Sequence, residues 1–164
     1  MGKVKFRRPT VYIICGFIGA GKTTFSKKLE KNTGAVRITK DEWLVWIFGN
    51  SAPAKENYAE IDARVTTLAR DFAFQLIEKG LDVILDEGYW TKSERDELKT
   101  RIDKAGAKWI MYYVDTPMNE MKERIVKRSF NPGKDSFEIS EEMFESYVKY
   151  WEPPSEDEGF VLAY

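Results

Sequence analysis

The 164-residue chain carries 26 basic and 27 acidic side chains, for a net charge of −1. This balance excludes a polycation built to cover duplex nucleic acid, and no apolar run is long enough to span a membrane. The single cysteine excludes an internal disulfide, and the lack of histidine leaves acid–base chemistry to Asp, Glu, Lys or Tyr. We therefore expect one cytoplasmic domain over residues 1–164, with no membrane partner.

Strand and helix patterns alternate along the chain. Short apolar runs predict strands at 11–15, 35–38, 81–88, 108–114 and 160–164. Amphipathic or capped segments predict helices at 21–31, 41–48, 56–79, 93–105, 116–129 and 140–151. This alternation predicts an α/β fold with a parallel sheet, whose ligands bind where the strands end.

A phosphate-binding loop is the most specific motif. Residues 16–23, GFIGAGKT, fit the pattern G-x-x-x-x-G-K-[ST] between a buried strand and a helix pattern. Glycines let such a loop wrap with its N–H groups inward, which forms an anion site at the helix N-terminus. Lys22 would contact the β- and γ-phosphates, and the Thr23 hydroxyl would bind Mg²⁺. The predicted nucleotide-binding residues of this loop are Gly16, Gly19, Ala20, Gly21, Lys22, Thr23 and Thr24.

Carboxylates follow three of the predicted strands. Asp41 is a candidate to accept the proton of an acceptor hydroxyl, although an aspartate that simply favours a helix N-terminus fits its position equally well. Asp86 and Asp115 each end an apolar strand, and they compete as the acid that faces the metal. Either one also suits a turn, and spacing alone does not separate them.

Two arginines lie four residues apart on the helix predicted at 116–129. Arg124 and Arg128 share one face of that helix, and residues 131–133, NPG, follow as a hinge. A helix end with two arginines beside a flexible connector suits a lid, roughly residues 124–139, that closes over a triphosphate. A solvated basic face paired with nearby glutamates explains the same pattern.

Aromatic residues flank the candidate acceptor side. Trp43 is close to Asp41 on the same short helix, where a wall for the acceptor and a place in the core fit it about equally. Trp46 is expected in the core. Tyr89 follows Asp86 in a loop at the functional edge and is a candidate acceptor contact.

Taken together, these segments resemble the small P-loop kinases grouped with polynucleotide kinase, chloramphenicol phosphotransferase, gluconate kinase and zeta toxin. The matching segments are GFIGAGKTT, TKDEW, VILDEGYWTKSERDEL and VDTPMNEMKERIVKR, in that order. The resemblance covers nearly the whole chain. It implies a three-layer sandwich with a five-stranded parallel sheet, in the strand order 2-3-1-4-5, and a helical lid.

The same resemblance implies roles for individual residues. It favours Asp41 as the base that activates the acceptor, and Asp86 over Asp115 as the acid that faces the metal and the acceptor. It implies that both arginines of the predicted lid contact phosphate. It also adds Arg95 as a substrate or phosphate contact.

The leading hypothesis is an enzyme that moves the γ-phosphoryl group of Mg·ATP to a hydroxyl acceptor, either a nucleic acid 5′-hydroxyl or a small polar molecule. The predicted catalytic residues are Lys22, Asp41 and Arg128. The predicted acceptor contacts are Asp41, Trp43, Asp86, Tyr89 and Arg95. The predicted metal ligands are Thr23 and Asp86. The alternative is a regulatory switch or partner-binding module that binds and hydrolyses ATP without a small acceptor.

Overall fold

The computed structural model describes residues 7–129 and 137–164. Five strands form one sheet: β1 (Thr10–Cys15), β2 (Val36–Ile38), β3 (Val83–Gly88), β4 (Lys108–Tyr113) and β5 (Phe160–Leu162). The order across the sheet is β2-β3-β1-β4-β5, and each neighbouring pair is parallel. The predicted α/β class, strand order and parallel pairing are confirmed.

Six α-helices accompany the sheet within the described ranges. They are α1 (Lys22–Thr33), α2 (Lys40–Phe48), α3 (Tyr58–Glu78), α4 (Lys92–Lys104), α5 (Met118–Ser129) and α6 (Glu141–Val148). Each predicted helix is present, and the largest difference is in α6, which ends at Val148 rather than at residue 151. In the part of the chain that the structure describes, no helix is long and apolar enough to cross a bilayer.

The core consists of two apolar layers, one on each face of the sheet. Ile13 belongs to a buried cluster that includes Phe74 of α3. The next residue, Ile14, belongs to a second cluster with Ile125 of α5 and Phe144 of α6. Consecutive strand residues point to opposite faces, so helices cover both sides of the sheet. A strand buried on both faces needs a continuous apolar run, which β1 supplies.

The pairing of β1 with β3 shifts by one residue near its carboxyl end. Ile14 lies opposite Asp86, whereas Cys15 lies opposite Gly88. Glu87 therefore has no register partner on β1. Its side chain pairs with Arg70 of α3, whereas Asp86 contacts Ser26 of α1, so the two side chains keep the regular alternation of a strand.

A buried ion pair joins the segment before β5 to α4. Arg95 is fully buried, and its Nε and Nη2 donate to the two carboxylate oxygens of Glu158 at 2.7 and 2.9 Å. Its Nη1 donates to the carbonyl oxygens of Tyr89 and Glu152 at 3.0 and 2.9 Å. The Tyr89 carbonyl oxygen also accepts a hydrogen bond from the buried Cys15 thiol at 3.5 Å. One arginine thus holds the loop after β3 and the segment before β5 together.

Replacement of Arg95 by alanine should destabilise the protein strongly. The Glu158 carboxylate would remain buried without its partner, and such a loss costs about 3–5 kcal/mol. The measurement is urea denaturation of the purified chain. Arg64→Ala is the matched control, because Arg64 forms an exposed pair with Glu60 within α3 and should change stability little. Equal stabilities of the two variants would contradict this prediction.

The same pair should make stability depend on acid pH. Hydrogen bonds from Arg95 lower the pKa of Glu158 from 4.5 to about 2. A carboxyl with a lowered folded-state pKa stabilises the fold fully above its unfolded pKa. The contribution should therefore be complete above about pH 4.5 and should fall as the pH drops towards 2. Glu158→Gln should remove this part of the pH dependence of unfolding.

Candidate functional site

A cavity of about 1240 Å³ opens at the carboxyl edge of the sheet. Its walls come from the phosphate loop, the start of α2, the middle of α3, the segment after β3, and α5. The predicted site residues that line it are Gly19, Ala20, Gly21, Lys22, Thr23, Thr24, Asp41, Asp86, Tyr89, Arg124 and Arg128. The structure thus brings most of the predicted donor and acceptor residues into one space. Gly16, Trp43 and Arg95 do not line it.

Backbone conformation and close packing hold the phosphate loop in place. Gly19 and Gly21 have φ angles of 82° and 102°, a region that strains residues with a side chain. A Cβ at Gly19 would lie only 2.8 Å from the carbonyl oxygen of Met121. Helix α1 begins at Lys22, so the loop ends at a helix N-terminus, where N–H groups and the helix dipole favour anions.

Lys22 lies folded back on the loop that carries it. Its Nζ donates to the carbonyl oxygen of Phe17 at 2.9 Å. Burial lowers the pKa of Lys22, and the nearby carboxylates of Asp86 and Asp41 act against that shift. The ammonium group therefore already sits among opposite charges beside the predicted phosphate position.

The two candidate metal-facing acids occupy different environments. Asp86 is 3% exposed and accepts a hydrogen bond from the Ser26 hydroxyl at 2.6 Å. Burial raises the pKa of Asp86. Asp115 is exposed and accepts from the Tyr113 hydroxyl at 3.1 Å. Both aspartates line the cavity, but Asp86 is the buried one and is hydrogen-bonded to α1.

The donor set fits Mg²⁺ as a partner of nucleotide phosphate. The Thr23 hydroxyl and the Asp86 carboxylate line the same cavity, and oxygen atoms are the ligands that Mg²⁺ prefers. Among residues 7–129 and 137–164, no group of three or more His, Cys, Asp or Glu side chains is placed to hold a metal. A magnesium ion here would therefore take most of its ligands from phosphate oxygens and water, as Mg²⁺ commonly does.

Asp41 lies in the first turn of α2 and lines the cavity. Burial raises its pKa to about 6, against the opposing effects of Lys40 and then Lys22. A carboxyl group with a pKa near 6 is largely ionised at neutral pH and still accepts a proton more readily than an exposed aspartate. The position of Asp41 also matches that of an acidic residue favoured by a helix N-terminus.

The two arginines predicted for the lid lie beside the phosphate loop. Arg124 Nη1 donates to the carbonyl oxygens of Gly19 and Ala20, at 3.3 Å in each case. Arg128, one turn further along α5, also lines the cavity. The predicted hinge at 131–133 lies outside the described residues, so the lid over 124–139 stays a prediction.

The structure places three of the predicted aromatic and basic residues away from the positions expected for them. Trp46 is 82% exposed, so its expected place in the core is wrong. Trp43 packs against the core and its ring lies 6.4 Å from that of Phe72, away from the cavity. The expected substrate contact of Arg95 is also wrong, because all three guanidinium nitrogens donate to buried protein oxygens. Tyr89 is in the cavity wall as predicted, and it is 3% exposed.

Sequence reasoning missed Lys40, Asp62 and Glu87, which line the cavity. Lys40 Nζ contacts the Asp62 carboxylate at 2.5 Å, and Arg70 Nε contacts Glu87 at 3.2 Å. The side chain of Glu87 is only 2% exposed. A charged residue directly after Asp86, inside an otherwise apolar strand, was the available signal for Glu87. No local sequence pattern indicates the ion pairs that join α2 to α3 and α3 to β3.

Gly88 is a further residue whose role the sequence did not reveal. Its φ angle is 104°, and a Cβ there would lie 2.8 Å from Trp90 Nε1. Its carbonyl oxygen accepts a hydrogen bond from Gly16 N–H at 3.1 Å. Gly88 therefore lets the acceptor-side loop turn away while β3 stays attached to the phosphate loop.

Comparison with protein families gives one match over most of the chain. The model of the AAA_33 family, described as an AAA domain, matches residues 11–154. No curated protein matches the sequence.

Three solved structures share the fold over most of this chain. A "putative kinase" from Chloroflexus aurantiacus j-10-fl is 19% identical, with 95% of this chain and 86% of that chain covered and a TM-score of 0.71. A chain of the Pnkp1/Rnl/Hen1 RNA repair complex is 24% identical, with 90% and 45% covered and a TM-score of 0.68. A gluconokinase from Sinorhizobium meliloti 1021 is 18% identical, with 95% and 83% covered and a TM-score of 0.64. At these identities the likeness shows a shared P-loop kinase-like fold.

Removal of nearby positive charge should raise the pKa of Asp41 further. Lys40→Met should give the larger rise and Lys22→Met a smaller one, because Lys40 lowers the Asp41 pKa more than Lys22 does. The measurement is an NMR titration of the side-chain carboxyl carbons. Lys28→Met, on the exposed surface of α1, should leave the titration unchanged. An Asp41 pKa that falls or stays constant in Lys40→Met would show that the electrostatic account is mistaken.

Proposed function

The chain belongs to the AAA_33 family and has a P-loop kinase-like fold, and from this premise we propose that it transfers the γ-phosphoryl group of Mg·ATP to a hydroxyl acceptor. One observation carries the proposal: the phosphate loop and Asp41 line a single cavity. A phosphate donor site and a group able to accept a proton thus share one space. A kinase needs this arrangement, whereas a protein that only binds a nucleotide does not.

The donor half of the proposed site consists of residues 16–24 and α5. The triphosphate lies along the loop N–H groups, and Lys22 moves from the Phe17 carbonyl to the β- and γ-phosphate oxygens. Thr23 and Asp86 are the proposed ligands of Mg²⁺, which neutralises charge on those oxygens when bound. This role for Asp86 follows from its buried, hydrogen-bonded position beside α1.

Transfer itself is a balanced exchange at phosphorus. The acceptor oxygen forms a bond to the γ-phosphorus while the bond to the ADP oxygen breaks, and the acceptor proton passes to Asp41. Lys22, Arg124 and Arg128 stabilise the charge on the phosphoryl group as it moves. A raised pKa suits Asp41 to this role, because a base works best when its pKa lies near the working pH.

Two classes of acceptor are consistent with the fold. One solved neighbour is part of an RNA repair complex, and another is a gluconokinase. The proposed acceptor is accordingly a nucleic acid 5′-hydroxyl or a small polar molecule. The test is incubation of the full chain with Mg²⁺ and γ-labelled ATP and a panel of both classes. Label on any acceptor supports the proposal; ATP hydrolysis without labelled product from a broad panel would favour the regulatory switch instead.

Asp41→Asn should retain ATP binding and lose phosphoryl transfer. The amide keeps the shape of the side chain but accepts no proton, and general-base catalysis of this kind contributes about a hundredfold to ten-thousandfold in rate. The measurements are ATP affinity by calorimetry and transfer rate with labelled ATP. Asp103→Asn, an exposed carboxylate on α4, is the matched control and should behave as the parent protein does.

The transfer rate should also depend on pH in a defined direction. Asp41 accepts a proton only when ionised, and its pKa is raised to about 6. The rate should therefore rise as the pH increases through about 6 and level off above it. Full transfer activity in Asp41→Asn, or a rate that falls over this range, would remove Asp41 as the base.

A further inference from the structure

Four large apolar side chains are exposed on α2 and α3, and we call them the apolar patch: Trp46, Ile47, Leu68 and Phe72. Their exposed fractions are 82%, 65%, 63% and 41%. Spacings of three and four residues place Trp46 and Ile47 on the same side of α2 as Trp43, and Leu68 on the same side of α3 as Phe72. The rings of Trp43 and Phe72 lie 6.4 Å apart, so the two helices present one continuous apolar surface.

The apolar patch has the size of the centre of a protein interface. A buried aromatic side chain removes about 150–250 Å² from water, so the four exposed side chains present on the order of 500 Å² of accessible surface. The largest patch on a typical monomer is about 300–600 Å², and it often binds another molecule. A stable interface buries about 800 Å² on each partner, with an apolar centre and a polar rim.

The apolar patch is separate from the candidate site. None of its four residues lines the cavity. The inner faces of the same helices supply Lys40 and Asp41 from α2, and Asp62 and Arg70 from α3, to the cavity wall. A partner on the outer faces would therefore leave the cavity open, and it would hold together two helices that carry site residues.

Charges beside the apolar patch favour a protein partner over a lipid surface. Arg64, Leu68 and Asp71 are spaced four and three residues apart, so they follow one ridge of α3. Arg64 forms an exposed pair with Glu60, and Asp71 forms an exposed pair with Arg101. A helix that binds an anionic lipid surface carries mainly Lys and Arg beside its apolar face. Charges of both signs, as found here, suit a protein surface that carries the same two signs in the reverse order.

The order of these charges makes the surface complementary to itself. Two copies of α3 that pack antiparallel around a two-fold axis bring together residues at equal distances from that axis. Arg64 and Asp71 lie equally far, in opposite directions, from the midpoint between Thr67 and Leu68. Each arginine would then face the aspartate of the other copy, while the two Leu68 side chains meet near the axis.

We propose that the chain forms a two-fold symmetric homodimer through α2 and α3, with the apolar patch of each copy at the centre of the interface and pairs between Arg64 and Asp71 at its rim. This inference is independent of the proposed function, since nothing in it depends on phosphoryl transfer. Trp46 contributes most to association, because it is the most exposed side chain of the patch and because Trp residues commonly dominate binding energy at interfaces.

The first experiment measures the mass of the full chain by sedimentation velocity over a series of concentrations. We expect a monomer–dimer equilibrium whose Kd rises at least about thirtyfold in Trp46→Glu and in Leu68→Glu, as loss of an interface hot spot does. Because both side chains are exposed, each variant should keep the circular dichroism spectrum of the parent chain. A parent chain that stays monomeric up to its solubility limit would overturn the proposal.

Val161→Glu is the matched control. Val161 is 50% exposed on β5, an edge strand of the sheet and therefore a different place where two copies could pair. This variant should leave Kd unchanged. A dimer that is lost in Val161→Glu but kept in the α2 and α3 variants would place the interface at the sheet edge and refute the proposal, and so would a dimer that all three variants keep.

A charge exchange tests the two-fold arrangement. Arg64→Asp and Asp71→Arg each place like charges opposite one another across the axis, and each should raise Kd about tenfold. The double variant restores opposite charges and should return Kd towards the parent value. Effects within one chain, where Glu60 and Arg101 lose their partners, would add in the double variant, so a recovery reports contact between copies. A double variant that dimerises no better than either single variant would rule out the antiparallel pairing of α3.

Discussion

The parallel pairing of β1 with β3 is the constraint on which the candidate site depends. It places the end of one strand, which continues into the phosphate loop, beside the end of the other, which carries Asp86 and Glu87. The hydrogen bond from Gly16 N–H to the Gly88 carbonyl oxygen extends this pairing to the loops themselves. Because both strands are buried on both faces, neither can shift register without exposing its apolar side chains to water.

Several ionisable side chains of the candidate site are buried. Removal from water raises the pKa values of Asp41, Asp86 and Glu87 and lowers that of Lys22. Buried charged groups need partners, and several pairs at the cavity join different elements. Ser26 of α1 contacts Asp86 of β3, Lys40 of α2 contacts Asp62 of α3, and Arg70 of α3 contacts Glu87 of β3. Electrostatic strain thus concentrates at the cavity, which is typical of sites that handle protons and phosphate.

The phosphate loop and the succession of strands and helices could be predicted because each depends on local pattern, whereas the strand order followed from the resemblance to the small P-loop kinases. The predictions from sequence were wrong where contacts between distant residues determine the position of a side chain. In the sequence, Arg95 cannot be distinguished from an arginine that binds phosphate. Only the fold shows that its guanidinium group is paired with Glu158, 63 residues later. Trp46 fits helical core spacing, yet α2 turns that face to solvent. Glu87 was missed because its partner, Arg70, lies on α3, and no local pattern in the sequence indicates that pairing.

The environment of Cys15 has a practical consequence. It is the only cysteine in the sequence, it is fully buried, and burial raises the pKa of its thiol to about 12. Thiol reagents attack the thiolate, so the native protein offers them almost no target at neutral pH. A cysteine introduced on the surface of α5 would therefore be the single site for a fluorophore or spin label. The mobility or fluorescence of that label would then report on the surroundings of α5 in an otherwise unmodified chain.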